Sequence, residues 1–478
     1  MISKKIGKAG YYLLSRKIWG SILNVFVMAL LARILDKRDF GLIVLSTILI
    51  EFVKVFAVSG ISDYIVFSKS DKIKSEISSI FWLVSSLILI VAVVVFMLVP
   101  FWSKFYGEPR LKNLILIALV PFAFNTLSSI PYGIFRKNLD FEFVTKVQFI
   151  TESLVKIGQV ALAFSGFGVF SLIVPSSFFS IIQALMFYWK SKINISFKID
   201  FKIWKTVFSY TKNIIGFEII NKFLNEGDKV IIGKVFGNEF LGIYDIAFKL
   251  GNVINSQLVP IITNISMPLF SLNNENQAIT KKYFFDFIKF LANSFLPFYV
   301  SLFFLADYLI VTMYGNRWVD AILPFKICIS IAAFRSLSSP AAGLYNALGK
   351  PQVAFVFTSI FTPIHILLVY LTAVNSSFLY VLTVIAISRN IGSVTHFFIL
   401  SKMLSYRIKD MFNNINFVFW GILIGGAVVF IFNIFREFHP IVNTLSFCIV
   451  YLIVMFYLFR NDFFVYLNSV KKIIPFKY

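Results

Sequence analysis

Charged side chains recur inside runs that are otherwise apolar, and their spacing is helical. Glu51 and Lys54 lie three residues apart. Glu152 and Lys156, Glu218 and Lys222, and Asp245 and Lys249 lie four apart. In each pair the acid precedes the base, the better order for an ion pair along one helix face. The densest group runs from Glu218 through Asn221, Lys222, Asn225, Glu226 and Asp228 to Lys229. Residues 218, 222, 225 and 229 share one face, so this segment has a wet stripe and an apolar face. Arg16 and Lys17 differ, because their segment offers no acid one turn away. Such a cation pair suits a phosphate-bearing ligand, with arginine supplying bidentate geometry.

Each feature also has a plainer reading. Acid–base pairs on one helix neutralise each other and ease insertion into lipid. Arg16 and Lys17 also fit as anchors at a membrane surface. Lys289 and Asp307 lie near the ends of their runs, where snorkelling suffices. His365 and His396 stand alone in apolar runs and read as packed, hydrogen-bonded side chains. Cys328 and Cys448 form neither a disulfide framework nor a metal knuckle. The chain carries no P-loop, HExxH motif or nucleophile elbow, so it reads as no enzyme, with no metal and no cofactor.

The elements that must position these charges are membrane helices. Of 478 residues, 58% are hydrophobic and only 14% charged. Polar surface that sparse cannot cover a soluble core, and lipid removes the need to. A helix crosses the hydrocarbon in about 20 residues, and roughly fourteen stretches meet that length. They include the polar stretches at 207–235 and 240–268. The net charge of +22 sits mainly between the apolar runs, so it predicts orientation rather than a nucleic-acid partner. Loops on one side hold roughly two dozen Lys and Arg against roughly eight on the other. The basic side, with both termini, is expected to be cytoplasmic, and the N-terminal segment to be a retained first helix.

The chain also resembles itself at a separation of about two hundred residues. Ala32-Arg33-Ile34-Leu35 with Phe40-Gly41-Leu42 aligns with Gly233-Lys234-Val235-Phe236 and Leu241-Gly242-Ile243. Phe105-Tyr106-Gly107 aligns with Met313-Tyr314-Gly315. Leu127-Ser128-Ser129 with Gly133-Ile134-Phe135 aligns with Leu337-Ser338-Ser339 and Gly343-Leu344-Tyr345. The expected fold is therefore all-α and polytopic: a six-helix lobe over 1–205, a second over 206–405, and a helix pair with a basic tail over 406–478. Six is an even number, so both lobes insert with the same orientation, as in parallel-repeat transporters.

Certain motifs resemble a known family. Asp228 through Gly233, Gly237 and Leu241-Gly242-Ile243-Tyr244 resemble the seventh-to-eighth helix pattern of bacterial oligosaccharide flippases. Leu30 through Leu35 with Phe40-Gly41 resembles the family's first-helix exit, and Leu348-Gly349-Lys350-Pro351 its turn after helix ten. The similarity is to the Wzx-like, colanic-acid-exporter-like branch of the multidrug/oligosaccharidyl-lipid/polysaccharide exporter superfamily, and it spans nearly the whole chain. It implies movement of undecaprenyl-diphosphate-linked repeat units across the bacterial cytoplasmic membrane by ion-coupled alternating access. It implies a diphosphate site at Arg16, Lys17, Lys222 and Arg335. It implies sugar or ion-coupling roles for Glu218, Asn221, Asn225, Glu226, Asp228, Glu51 and Glu152. The implied partners are lipid-linked oligosaccharide, membrane lipid, a coupling ion (H+ or Na+), a polysaccharide polymerase and a chain-length regulator. Two other readings stand beside it: a drug/cation antiporter of the same superfamily, and a membrane-embedded glycan polymerase or transferase.

Overall fold

Inside a bilayer every backbone N–H and C=O must find its partner within the chain, which favours helices wherever a sequence spans as a single segment. The computed structural model obeys this. It describes residues 2–58, 60–68, 70–271, 276–435 and 438–460, with side chains described from Ser15 on except at 58, 70–72, 74–75, 213, 258–265 and 435. The basic tail expected at the C-terminal end, 461–478, lies outside the described residues. Every regular element among the described residues is helical, and twelve segments are long and apolar enough to cross a membrane.

The packing divides the chain into two compact units, Met1–Asp245 and Ile246–Tyr478. The first holds α1 (Ile2–Ile34), α2 (Lys37–Val53), the short α3 (Val55–Val58) and α4 (Ile61–Phe67), α5 (Ser70–Tyr106), α6 (Arg110–Lys137), α7 (Phe141–Phe164), α8 (Val174–Ser191) and α9 (Phe201–Val235). It also holds the first turns of α10 (Asn238–Ser271). The remainder of α10 opens the second unit. There follow α11 (Gln277–Tyr314), α12 (Ile322–Ser338), α13 (Pro340–Ala347), α14 (Pro351–Asn375), α15 (Phe378–Met403), α16 (Ile408–Phe435) and α17 (Pro440–Tyr457).

Three local features follow from particular residues. The second of the fourteen stretches, near 40–61, lies within one of the twelve segments, Lys37–Phe67, but is made of three helices rather than one. A turn at Lys54 ends α2, and Gly60, at φ +82°, takes a left-handed conformation before α4 that a side chain would strain. The stretches expected at 207–235 and 240–268 are continuous helices, α9 and α10; α9 is not among the twelve apolar segments, because its charges lower its hydropathy. The third feature is a close crossing. A Cβ on Gly41 would lie 1.9 Å from the carbonyl oxygen of Asn238, and one on Gly242 would lie 2.2 Å from that of Lys37. Each glycine sits four residues into its own helix and meets the first residue of the other. Charges reinforce the crossing: Lys37 and Arg38 lie 3.7 and 3.9 Å from Glu239, and Asn238 donates to Glu108 at 2.7 Å.

In the second unit α12 packs between α11 and α15, and the α16–α17 pair lies on α11. Gly421 and Gly425 let α17 approach closely through Tyr451, Met455 and Phe447. Tyr451 then reaches Asn293 of α11 with a 2.7 Å hydrogen bond.

Candidate functional site

The charges singled out above fall into three clusters in the first unit and one in the second. The first cluster centres on Glu51, at the C-terminal end of α2. Lys54 reaches back to it from the turn, and Lys222 reaches it from α9. All three side chains are between one fifth and about one third exposed. Two ammonium groups therefore share one carboxylate. Spacing alone paired Lys222 with Glu218, one turn before it. The structure pairs it instead with Glu51, 171 positions away. Glu218 is half-buried and makes no ion pair among the described residues. Asn221 and Asn225 spend their amide nitrogens on α9 itself, donating to the carbonyls of Phe217 at 3.1 Å and Asn221 at 2.8 Å.

The second cluster joins α1 to α7. Arg16 has no acid near it in sequence, but Nη1 lies 2.5 Å from Oε1 of Glu152. The expectation of two unpaired cations is thus corrected for Arg16: packing of α1 on α7 supplies what local sequence lacks. Lys156, one turn beyond Glu152, donates to Asn24 at 2.8 Å and Gln159 at 3.2 Å. Gln159 in turn donates to the carbonyl of Leu172 at 2.8 Å. Lys17 makes no ion pair among the described residues and keeps part of its surface open.

The third cluster is the most buried. Lys229 is 8% exposed and lies 2.9 Å from Glu226 and 3.3 Å from Asp245. Asp228 is fully buried; it accepts from the Tyr244 hydroxyl at 2.7 Å and from the Lys229 backbone N–H at 2.8 Å. These bonds fasten the end of α9 to the start of α10. Burying charge is costly unless it is compensated, and here Lys229 is paired with two carboxylates and Asp228 is hydrogen-bonded. Lys229, Asp245 and Tyr244 were not among the expected site residues. The signal for them was present in the stripe through Lys229 and in the Asp245–Lys249 spacing.

Arg335 lies near the end of α12 in the second unit, exposed, with Arg389 and Tyr299 close enough to act on it electrostatically. Arg389 is nearly buried, its guanidinium 5.3 Å from the centre of the Phe248 ring. An arginine pair of this kind suits an anion. The histidines are packed: His365 is fully buried beside Ser388 at 2.7 Å, and His396 lies 3.2 Å from the Tyr345 hydroxyl.

The first-unit clusters offer binding groups. Acids and bases sit side by side on the helices of this multi-pass chain, already neutralising one another in part. That leaves polar walls able to exchange partners with a hydroxyl-rich or phosphate-bearing ligand. Comparison with known proteins fits the helical fold. The inward closed structure of the lipid II flippase MurJ superposes with a TM-score of 0.76 at 17% identity, covering 94% of this chain and 99% of that one. An inward-facing multidrug resistance MATE family transporter superposes with a TM-score of 0.61 at 14% identity, covering 83% and 94%. Among sequence relatives, the teichuronic acid biosynthesis protein TuaB of Bacillus subtilis is 23% identical over 71% of this chain and 70% of its own length. The lipopolysaccharide biosynthesis protein WzxC of Escherichia coli is 22% identical, with the same coverage. The model of one family, described as polysaccharide biosynthesis protein, matches residues 30–323, more than half of the sequence and most of the charged clusters just described, so this multi-pass membrane chain belongs to that family.

Proposed function

We propose that this chain is a flippase that carries undecaprenyl-diphosphate-linked oligosaccharide repeat units across the bacterial cytoplasmic membrane for surface polysaccharide synthesis. It works by alternating access, coupled to a proton or sodium gradient, with both termini cytoplasmic. It is a transporter and not an enzyme. The observation that carries this reading is the set of charges at membrane depth, paired across helices, in a member of a polysaccharide biosynthesis family. Lipid tolerates such groups only where they are buried in protein or line a wet path.

The diphosphate role is assigned to Lys17 first, because no acid offsets it among the described residues, then to Arg16, Lys222 and Arg335. Glu51, Glu152, Glu218, Asn221, Asn225, Glu226 and Asp228 are assigned to sugar hydroxyls or the coupling ion. The division into lobes over 1–205 and 206–405, with a helix pair after them, is retained as part of the proposal. It is supported by the aligned glycines Gly107 and Gly315, which both take positive φ, 68° and 92°, just after the long helices α5 and α11. The MurJ, TuaB and WzxC resemblances favour lipid-linked glycan over other cargo.

The test is flipping in proteoliposomes containing the lipid-linked repeat unit of the host strain, with and without an imposed proton or sodium gradient. Gradient-sensitive movement is expected. Arg16→Ala combined with Lys17→Ala is expected to cut the rate at least tenfold, about the worth of one lost charge-assisted phosphate contact, while insertion stays normal. A normal rate in that variant removes both residues from the site. Movement of organic cations in place of the lipid would assign the chain to drug/cation antiport.

A further inference from the structure

A cavity of about 300 Å³ opens within the first unit, walled by α2, α6 and the start of α8. It has room for roughly ten water molecules, and so for one pyranose ring. Its polar atoms share one character. Thr47 donates its hydroxyl proton to the carbonyl of Ile43 at 2.9 Å, Thr126 to Phe122 at 2.7 Å and Ser176 to Ile173 at 2.6 Å. Each hydroxyl has thus spent its donor on its own helix and turns only lone pairs outward. The carboxylate of Glu51 is a further acceptor on the same wall, and Lys54, which holds it, adds one ammonium there. Asn125, exposed and without a hydrogen bond among the described residues, adds an amide that both donates and accepts.

An acceptor-rich wall recognises a ligand rich in donors. An organic cation is such a ligand, but the charge count opposes it: Glu51 is held by both Lys54 and Lys222, so this corner carries one net positive charge. A sugar fits better, because its hydroxyls donate without bringing positive charge, and a carboxylated sugar fits as well as a neutral one. Phe122, Ile50 and Leu172 give the remaining wall an apolar surface for the ring's C–H face. We propose that this cavity is the subsite for one neutral or acidic sugar ring of the transported glycan; the proposal rests on the flippase reading above.

The full chain in lipid nanodiscs is titrated with the host strain's lipid-linked repeat unit and, separately, with undecaprenyl diphosphate bearing no sugar. Wild type is expected to prefer the glycosylated lipid by tenfold or more. Asn125→Leu with Thr47→Val removes the polar atoms, and Ile43→Trp fills the space from an apolar wall. Both variants are expected to lose that preference while binding the bare lipid within about twofold of wild type, the scale of one net hydrogen bond or less. Variants that keep the preference overturn the sugar subsite and leave the flippase reading standing. Variants that lose both ligands together overturn it too, because the cavity then serves the lipid portion or the packing. Wild-type protein that binds neither ligand overturns the flippase reading and, with it, this one.

Discussion

Lys229→Met is expected to lower the apparent melting temperature of the purified protein by on the order of 10 °C, from a loss of about 3–5 kcal/mol. Methionine keeps the length and the apolar stem, so the change isolates the ammonium. In the folded chain that ammonium lies 2.9 Å from Glu226 and 3.3 Å from Asp245. Glu226 retains some exposure and can turn to water. Asp245 is 1% exposed and cannot. The variant would therefore take one cation away from a carboxylate that cannot reach water, which costs more than the pair ever contributed. Adding Asp245→Asn to Lys229→Met is expected to recover a substantial part of the loss, since the residues share one contact and their effects are not additive. Thermal unfolding followed by size-exclusion chromatography reads both variants. An unchanged melt in Lys229→Met would show that the ammonium does not hold α9 to α10.

The second large effect concerns backbone rather than charge. Gly41→Ala and Gly242→Ala are each expected to destabilise by about 3 kcal/mol or more, at or beyond the upper end of overpacking costs. The added Cβ would meet a carbonyl oxygen at 1.9 or 2.2 Å, and a backbone carbonyl in a helix cannot swing aside as a flexible side chain can. The two helices must separate. Once they have, the second alanine costs less, so the double variant is expected to fall short of the sum. Gly216→Ala is the control. It lies in α9, where an added Cβ meets nothing within 4 Å, so helix propensity makes the change neutral or slightly stabilising. Equal melts for Gly41→Ala and Gly216→Ala would refute the crossing.

Much of the fold could be read from residues, and the limits have physical causes. Long apolar runs with no polar backbone outlet must be helices, which made most spans legible. Even α9, too charged for a hydropathy window, was visible because 218, 222, 225 and 229 repeat at helical spacing. What spacing sees, however, is one helix at a time. It paired Lys222 with Glu218, its neighbour one turn away, whereas the chain brings Glu51 to it across 171 positions. It left Arg16 unpaired, whereas α7 brings Glu152. The break of the second span at Lys54 and Gly60 is similarly a matter of what packs beside it: a Cβ on Gly60 would lie 2.9 Å from Thr211, far along the chain. The cavity was invisible for another reason. Thr47, Asn125 and Ser176 are ordinary polar residues in three separate runs, and only their meeting makes them a wall.

The reciprocal crossing of Gly41 and Gly242 also bears on how this sequence can change over generations. The two glycines occupy matching places in the internal repeat, and each is confined by the first residue of the other copy's helix. Neither copy can take up a larger residue at that place by adjusting its own side chains, because the obstacle is main chain belonging to its twin. This pair should stay fixed as a unit among descendants of the same duplication, lost together if at all.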